Sequence, residues 1–275
     1  MLAVNTPSFV TIDGRKIAYD DVCPPHPRGT ILLLTGLAAK RLGWRRQLEA
    51  FGQVYRTIAI DHRDIGDSDP YTAPYTVADQ ADDAAAVLAA LGIAHAAVVG
   101  ISMGGFIALE LTLRHPELVE KLVLTSTSAG GRAHVRAGLG LMLSALMPWN
   151  RRGEAGARAQ RTYARIMGPG YARAHPDDMA WIAEIARYHP QSAASYQRQW
   201  QACQRHDVVD RLGRLHVPTL VIHGDRDPLV RVENGRYLAA HIPAARLIEY
   251  AGAGHIPIIE RAEAYNRDVL AFLAG

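Results

Sequence analysis

The chain has 275 residues, 49% of them hydrophobic and 21% charged. That usage excludes a disordered, collagenous or coiled-coil protein and fits one large α/β domain, or one domain with a modest insertion. Thirty basic residues against 27 acidic ones leave a net charge of +3, too balanced for a dedicated nucleic-acid binder, which carries a basic stripe and usually aromatic platforms.

In chain order, residues 1–7 have no basic n-region and no long apolar core, so no signal peptide is expected. Residues 9–12, Asp13-Gly14 and residues 16–19 read as strand, tight turn and strand. Thr30-Ile31-Leu32-Leu33-Leu34 is an unbroken apolar run, the pattern of a strand buried on both faces in a parallel sheet. Similar runs recur at 57–60, 96–99, 122–125, 219–222 and 246–249, which brings the expected sheet to eight strands. Helical periods lie between them. Over 76–91, Val77, Ala81, Ala84, Leu88 and Leu91 form one apolar stripe. Thr76 is placed to cap that helix, and Asp79 to complement its dipole. Further helices are expected at 106–113, stopped before Pro116, and at 232–240 and 262–273. Alternating strand and helix predicts a mostly parallel sheet with helices on both faces.

The alternation lapses between residues 129 and 212. That stretch shows helical patterns punctuated by Pro148, Gly153, Gly156, Gly168-Pro169-Gly170, Pro176 and Pro190. It holds twelve arginines against six acids, whereas the remainder has 18 basic and 21 acidic residues. We read a helical insertion, 129–212, above a core of 1–128 and 213–275. Its apolar stretch around Leu139 to Trp149 is too short to span a bilayer and is broken by Ser144 and Pro148, so no membrane association is expected. Cys23 and Cys203 have no CxxC or Cys/His partner at metal-ligand spacing. Free thiols, no metal site and a reducing, cytoplasmic setting follow as expectations.

The chemistry centres on Val98-Val99-Gly100-Ile101-Ser102-Met103-Gly104-Gly105, an apolar strand running through G-x-S-x-G into a helix. Three fixed residues are weak evidence alone; the strand and helix around them supply the context. A serine on so sharp a turn takes strained backbone angles, and its neighbours two positions away approach closely, which demands glycine. The turn lifts the hydroxyl above the sheet. It also aims the Met103 amide, at a helix N-terminus, where an oxyanion would form. The hydroxyl needs a base. His255 follows the last strand, after the small residues Ala251-Gly252-Ala253-Gly254, where a loop can curl over the sheet's end. The imidazole in turn needs a carboxylate to fix its tautomer. In His223-Gly224-Asp225-Arg226-Asp227-Pro228 two acids compete. Asp227 is deeper in the loop and stiffened by Pro228, while Asp225, nearer the strand, is placed to brace the loop or pair with Arg226.

The order Ser102, Asp227, His255 belongs to one fold, and with it the sequence resembles the α/β-hydrolase family. The resemblance is carried by Leu34-Thr35-Gly36-Leu37 with Trp44, by Asp61-His62-Arg63-Asp64-Ile65-Gly66-Asp67-Ser68, by the elbow, by residues 224–228 and by residues 252–255. It implies the catalytic triad, with Leu37 supplying a second oxyanion-hole amide beside Met103 and no cofactor needed. It also implies that the insertion is a cap, in which Leu143, Met147 and Trp149, together with Leu37, would line a substrate pocket; packing of cap helices against one another explains the same apolar residues. Two departures stand out: the family commonly has His-Gly where this chain has Thr35-Gly36, and often Gly at the position of Asp64. Residues 61–68 read as a structural loop near the site.

The implied activity is hydrolysis of a small ester or lactone through an acyl-enzyme. A Ser rather than an Asp at the elbow argues against the haloalkane dehalogenases and epoxide hydrolases of the family. Enol-lactonase, C–C hydrolase, and cofactor-free haloperoxidase or perhydrolase chemistry use the same triad. So does a different class, the hydrolase-fold ligand receptor with slow turnover.

Overall fold

The structure is a computed structural model that describes residues 6–138, 153–243 and 245–275. Eight strands form one sheet: β1 Ser8–Ile12, β2 Arg15–Val22, β3 Thr30–Leu34, β4 Arg56–Ile60, β5 Ala96–Ile101, β6 Val119–Thr125, β7 Thr219–Gly224 and β8 Ala245–Tyr250. Their order is β1-β2-β4-β3-β5-β6-β7-β8. From β4 to β8 all pairs are parallel, while β2 runs antiparallel to both β1 and β4. In the first hairpin Asp13 and Gly14 have φ of 49° and 76°, the pair of positive values that a type I′ turn requires.

The helices are α1 Arg45–Phe51, α2 Val77–Ala90, α3 Met103–Arg114, α4 Ala155–Ile166, α5 Tyr171–Ala174, α6 Pro176–Arg187, α7 Ala193–Gln204, α8 Val232–His241, α9 Pro257–Glu260 and α10 Ala262–Ala274. Strand alternation distributes the core between two layers. Leu32 and Leu34 of β3, with Ile58, Ile60 and Val98, pack against α2, α3 and Leu238 of α8. Ile31 and Leu33, with Ala59, Val99 and Ile222, pack against Phe51 of α1 and Tyr265, Val269 and Phe272 of α10. This double coverage is why the strands read as continuous apolar runs. The cap of α2 is a full box: Asp79 N–H donates to Thr76 Oγ1 at 3.2 Å, and Thr76 N–H donates to the Asp79 carboxylate at 2.7 Å.

Three elements differ from expectation. α3 starts at Met103, three residues before its apolar period is visible, because Gly104 and Gly105 belong to the helix. The sequence pattern predicts neither α1, where Leu48 and Phe51 are too few to mark a period, nor the four-residue α9. Between β6 and β7 the described residues form α4 to α7 and no strand, apart from an isolated bridge between Gly130 and Asp207. No described helix is long and apolar enough to cross a membrane.

The chain steps from β3 outward to β4 and then back to β5 on the other side of β3. The carboxyl ends of β3 and β5 therefore flank the crevice where open α/β sheets bind ligands.

Candidate active site

Ser102 stands at the carboxyl end of β5 with φ 56° and ψ −118°. Such a conformation costs a non-glycine residue on the order of 1–3 kcal/mol and persists only where its surroundings enforce it. The enforcing contacts are explicit. Ser102 N–H donates to Thr125 O at 2.9 Å, and Thr127 Oγ1 donates to Ser102 O at 2.8 Å. A Cβ on Gly100 would lie 2.2 Å from Gly104 O, and one on Gly104 would lie 2.1 Å from Leu34 O. The elbow is packed backbone against backbone, so neither neighbour can yield. Gly104→Ala is accordingly expected to cost about 3 kcal/mol or more and to lower Tm by about 10 °C; a wild-type melting curve would contradict this packing.

The carboxylate and imidazole come from the two strands beyond. Asp227 Oδ1 accepts the N–H groups of Leu229 and Val230 at 2.8 and 2.9 Å, which orients the side chain within its own turn. Its Oδ2 lies 2.7 Å from His255 Nδ1. That contact places the ring proton on Nδ1 and leaves Nε2 as the basic nitrogen. Behind them the buried His223 donates from Nε2 to Val230 O at 2.7 Å and lies 3.5 Å from the same Asp227 oxygen. Burial pushes the Asp227 carboxyl up, but the charge on His255 and the hydrogen bonds from His223 and His255 outweigh it and hold the group at about 2. Asp225 does not meet the ring: its Oδ1 accepts the Gly252 N–H at 2.7 Å. The two competing acids thus divide the work, one on the imidazole and one on the loop that carries it.

The His255 loop does curl back over the sheet. A Cβ on Gly224, at the end of β7, would sit 2.2 Å from Gly254 O, so the loop lies directly on that strand. Its backbone is gripped by a residue that the sequence pattern did not single out. Glu260, almost fully buried, accepts the N–H groups of Gly254 at 2.9 Å, Ile256 at 3.0 Å and Gly168 at 2.7 Å. His255 N–H itself donates to Ile166 O at 2.7 Å. An acid five residues after a histidine has no periodic signature, and its partners are backbone amides, one of them 92 residues distant.

Gly36 lies against the elbow: a Cβ there would be 3.3 Å from Ser102 Cβ and 3.8 Å from its Oγ. At the departure from His-Gly, Thr35 Oγ1 donates to Ala39 O at 3.1 Å and Ala39 N–H to Gly36 O at 3.1 Å. The threonine thereby ties the turn that contains Leu37. Leu37 is half-buried against the α2–α3 layer. Met103 opens α3, whose first amides have no acceptor within the helix. No hydrogen bond joins the Ser102 hydroxyl to the His255 ring among the described residues; such nucleophile–base bonds commonly tighten only in the reacting complex. Leu143, Met147 and Trp149, with the rest of the apolar stretch from Leu139, lie outside the described residues.

Residues 61–68 form a buried ionic brace. Arg41 donates to Asp61 at 2.6 Å, Asp67 at 2.7 Å and Asp20 at 3.0 Å, and Asp61 also accepts the Arg41 backbone N–H at 2.7 Å. Among the described residues no group of three or more His, Cys, Asp or Glu side chains is arranged to hold a metal ion.

The profile described as alpha/beta hydrolase fold matches residues 29–262. RutD of Caulobacter sp. (strain K31), named as a carbamate hydrolase, is 30% identical over 269 residues, covering 96% of this chain and 97% of that protein. The 3-oxoadipate enol-lactonase 2 of Acinetobacter baylyi is 28% identical over 253 residues, covering 90% and 89%. The crystal structure of the enol-lactonase from Burkholderia xenovorans LB400 superposes with a TM-score of 0.84 at 27% identity, covering 98% of this chain and all of that one. The elbow, the eight-stranded sheet and these matches agree: the chain belongs to the α/β-hydrolase family.

Proposed function

We propose that the protein is a serine hydrolase acting on a small carboxylic ester or a related acyl compound. The observation that carries this reading is the Asp227–His255 contact at 2.7 Å, made by a loop that folds over the carboxyl end of the sheet, the end at which the strained Ser102 stands. In the proposed reaction, His255 Nε2 takes the proton of Ser102 Oγ as that oxygen attacks the substrate carbonyl. Asp227 holds the imidazole and stabilises the imidazolium. The N–H groups of Leu37 and Met103 receive the tetrahedral oxyanion, each such donor being worth about 2.7–4 kcal/mol. His255 then protonates the leaving oxygen, and water repeats the sequence in reverse to release the acid from the acyl-serine. In this reading residues 129–212 act as the cap over the site.

The names of the relatives widen the electrophile to enol-lactones and carbamates. Each offers one carbonyl carbon to the same nucleophile, so they differ in the leaving group and not in the machinery. A panel of p-nitrophenyl acyl esters, an enol-lactone and an N-carboxylated amine tests the proposal. Expected is turnover of the short acyl esters at about one per second or faster. Labelling of one serine per chain followed by arrest would instead mark a receptor.

A further inference from the structure

Gln199 lies on α7 with no exposed surface, and its amide joins two loops of the core. Oε1 accepts the Ala38 N–H at 3.2 Å and the Gln191 side-chain N–H at 3.0 Å, while Nε2 donates to Arg63 O at 3.2 Å. The partner loops are the turn containing Leu37 and the loop 61–68. On the latter, Asp64 takes a left-handed φ of 72°. Its carboxylate accepts two bonds of 2.8 Å from Arg198 and one of 3.0 Å from Ser195 Oγ. This explains an acid where the family often has glycine: it docks α7 in register beside Gln199.

Ala38 is also left-handed, with φ 58°, a conformation that an alanine holds only when its surroundings enforce it. The bond from Gln199 falls on the peptide joining Leu37 to Ala38. Fixing that peptide plane, with Thr35 fixing the other end of the turn, fixes the torsions of Leu37 and hence the direction of its N–H. On the Gln199 side the bond is enforced by burial, since its side-chain amide, with no exposed surface, would be left with an unmatched oxygen lone pair if Ala38 moved away.

We propose that Gln199 is a positioning residue, through which the helical segment aims the Leu37 N–H at the oxyanion. The proposal rests on the hydrolase reading above, because that N–H matters only if an oxyanion forms on Ser102. A merely structural Gln199 would help seat α7 and nothing more. Other contacts already seat the helical segment without touching Ala38: Lys40 Nζ on Ile185 O at 2.7 Å, and Arg46 with Tyr171 on Asp178.

The test uses the full chain and a short p-nitrophenyl ester, with Tm and the Ki of an alkyl boronic acid, whose tetrahedral adduct on Ser102 places an oxygen in the oxyanion site. Gln199→Leu is expected to lower kcat by about 10- to 100-fold with KM within about twofold, and to weaken the boronate by a similar factor. Gln199→Glu keeps an acceptor for Ala38 but loses the donor to Arg63 O, and is expected to recover part of that loss. Gln199→Asn, one methylene too short to reach Ala38, reads the same effect should Gln199→Leu be insoluble. Asp178→Asn serves as the control, lowering Tm while leaving kcat and Ki within about twofold. Wild-type kcat and Ki in the Leu and Asn variants would overturn the proposal, as would losses that simply track Tm across all four. Turnover that survives in Ser102→Ala would defeat the hydrolase reading itself, a failure separately visible because it needs no Gln199 variant.

Discussion

Ser102→Ala is expected to lower kcat on an acyl ester by roughly 10⁴- to 10⁶-fold, the scale seen when the nucleophile of a serine triad is removed, with Tm within about 2 °C of the wild type. The large loss follows because the attacking oxygen itself is removed, and the Thr127 hydroxyl that touches the elbow is committed to Ser102 O. The small thermal effect follows because the elbow is held by backbone bonds and by glycines at 100 and 104, none of which involves the serine Oγ. Esterase rates within tenfold of wild type would place the chemistry elsewhere in the chain.

Asp227→Asn is expected to cost about 10⁴-fold in kcat, because an amide in place of the carboxylate stabilises the wrong imidazole tautomer and leaves the imidazolium without its counter-charge. Asp225→Asn should stay within about threefold, since an Asn oxygen still accepts the Gly252 N–H. Equal losses, or the reverse ranking, would reassign the carboxylate. The same group makes a pH prediction. Its folded value, about 2, lies below the ordinary carboxylate value of 3.8, so its stabilisation is complete above about pH 4 and disappears as pH falls toward 2. The denaturation-midpoint gap between wild type and Asp227→Asn should therefore close as pH falls from about 4 to about 2. A gap that stays open below that range would show that a different group carries it.

The centre of the framework was legible because β3 to β7 are buried on both faces over most of their length and so carry little polar alternation. Residues 30–34 match β3 without adjustment, and Asp227 and His255 were readable as neighbours because each follows one of two adjacent strands at the sheet edge. The glycines at 100 and 104 were legible because a tight turn leaves a compositional mark. What escaped were residues whose partners are backbone groups far away in the chain. Gln199 meets Ala38 across 161 positions, and Glu260 serves three backbone amides. Asp64 was visible only as a departure from the family; its meaning lay in Arg198, which composition reads as one more arginine in a basic stretch. α1, with two apolar anchors in seven residues, falls below what periodicity detects.

Because a single Glu260 oxygen serves both Gly168 and Gly254, the stretch after α4 and the histidine loop form one joint. Grafting helices from a relative onto this scaffold, or deleting them, would strip that joint of a donor and leave a buried carboxyl short of partners. A chimera that keeps residues 166–168 together with 252–260 preserves the hinge pin; one cut at the borders of the helical segment does not.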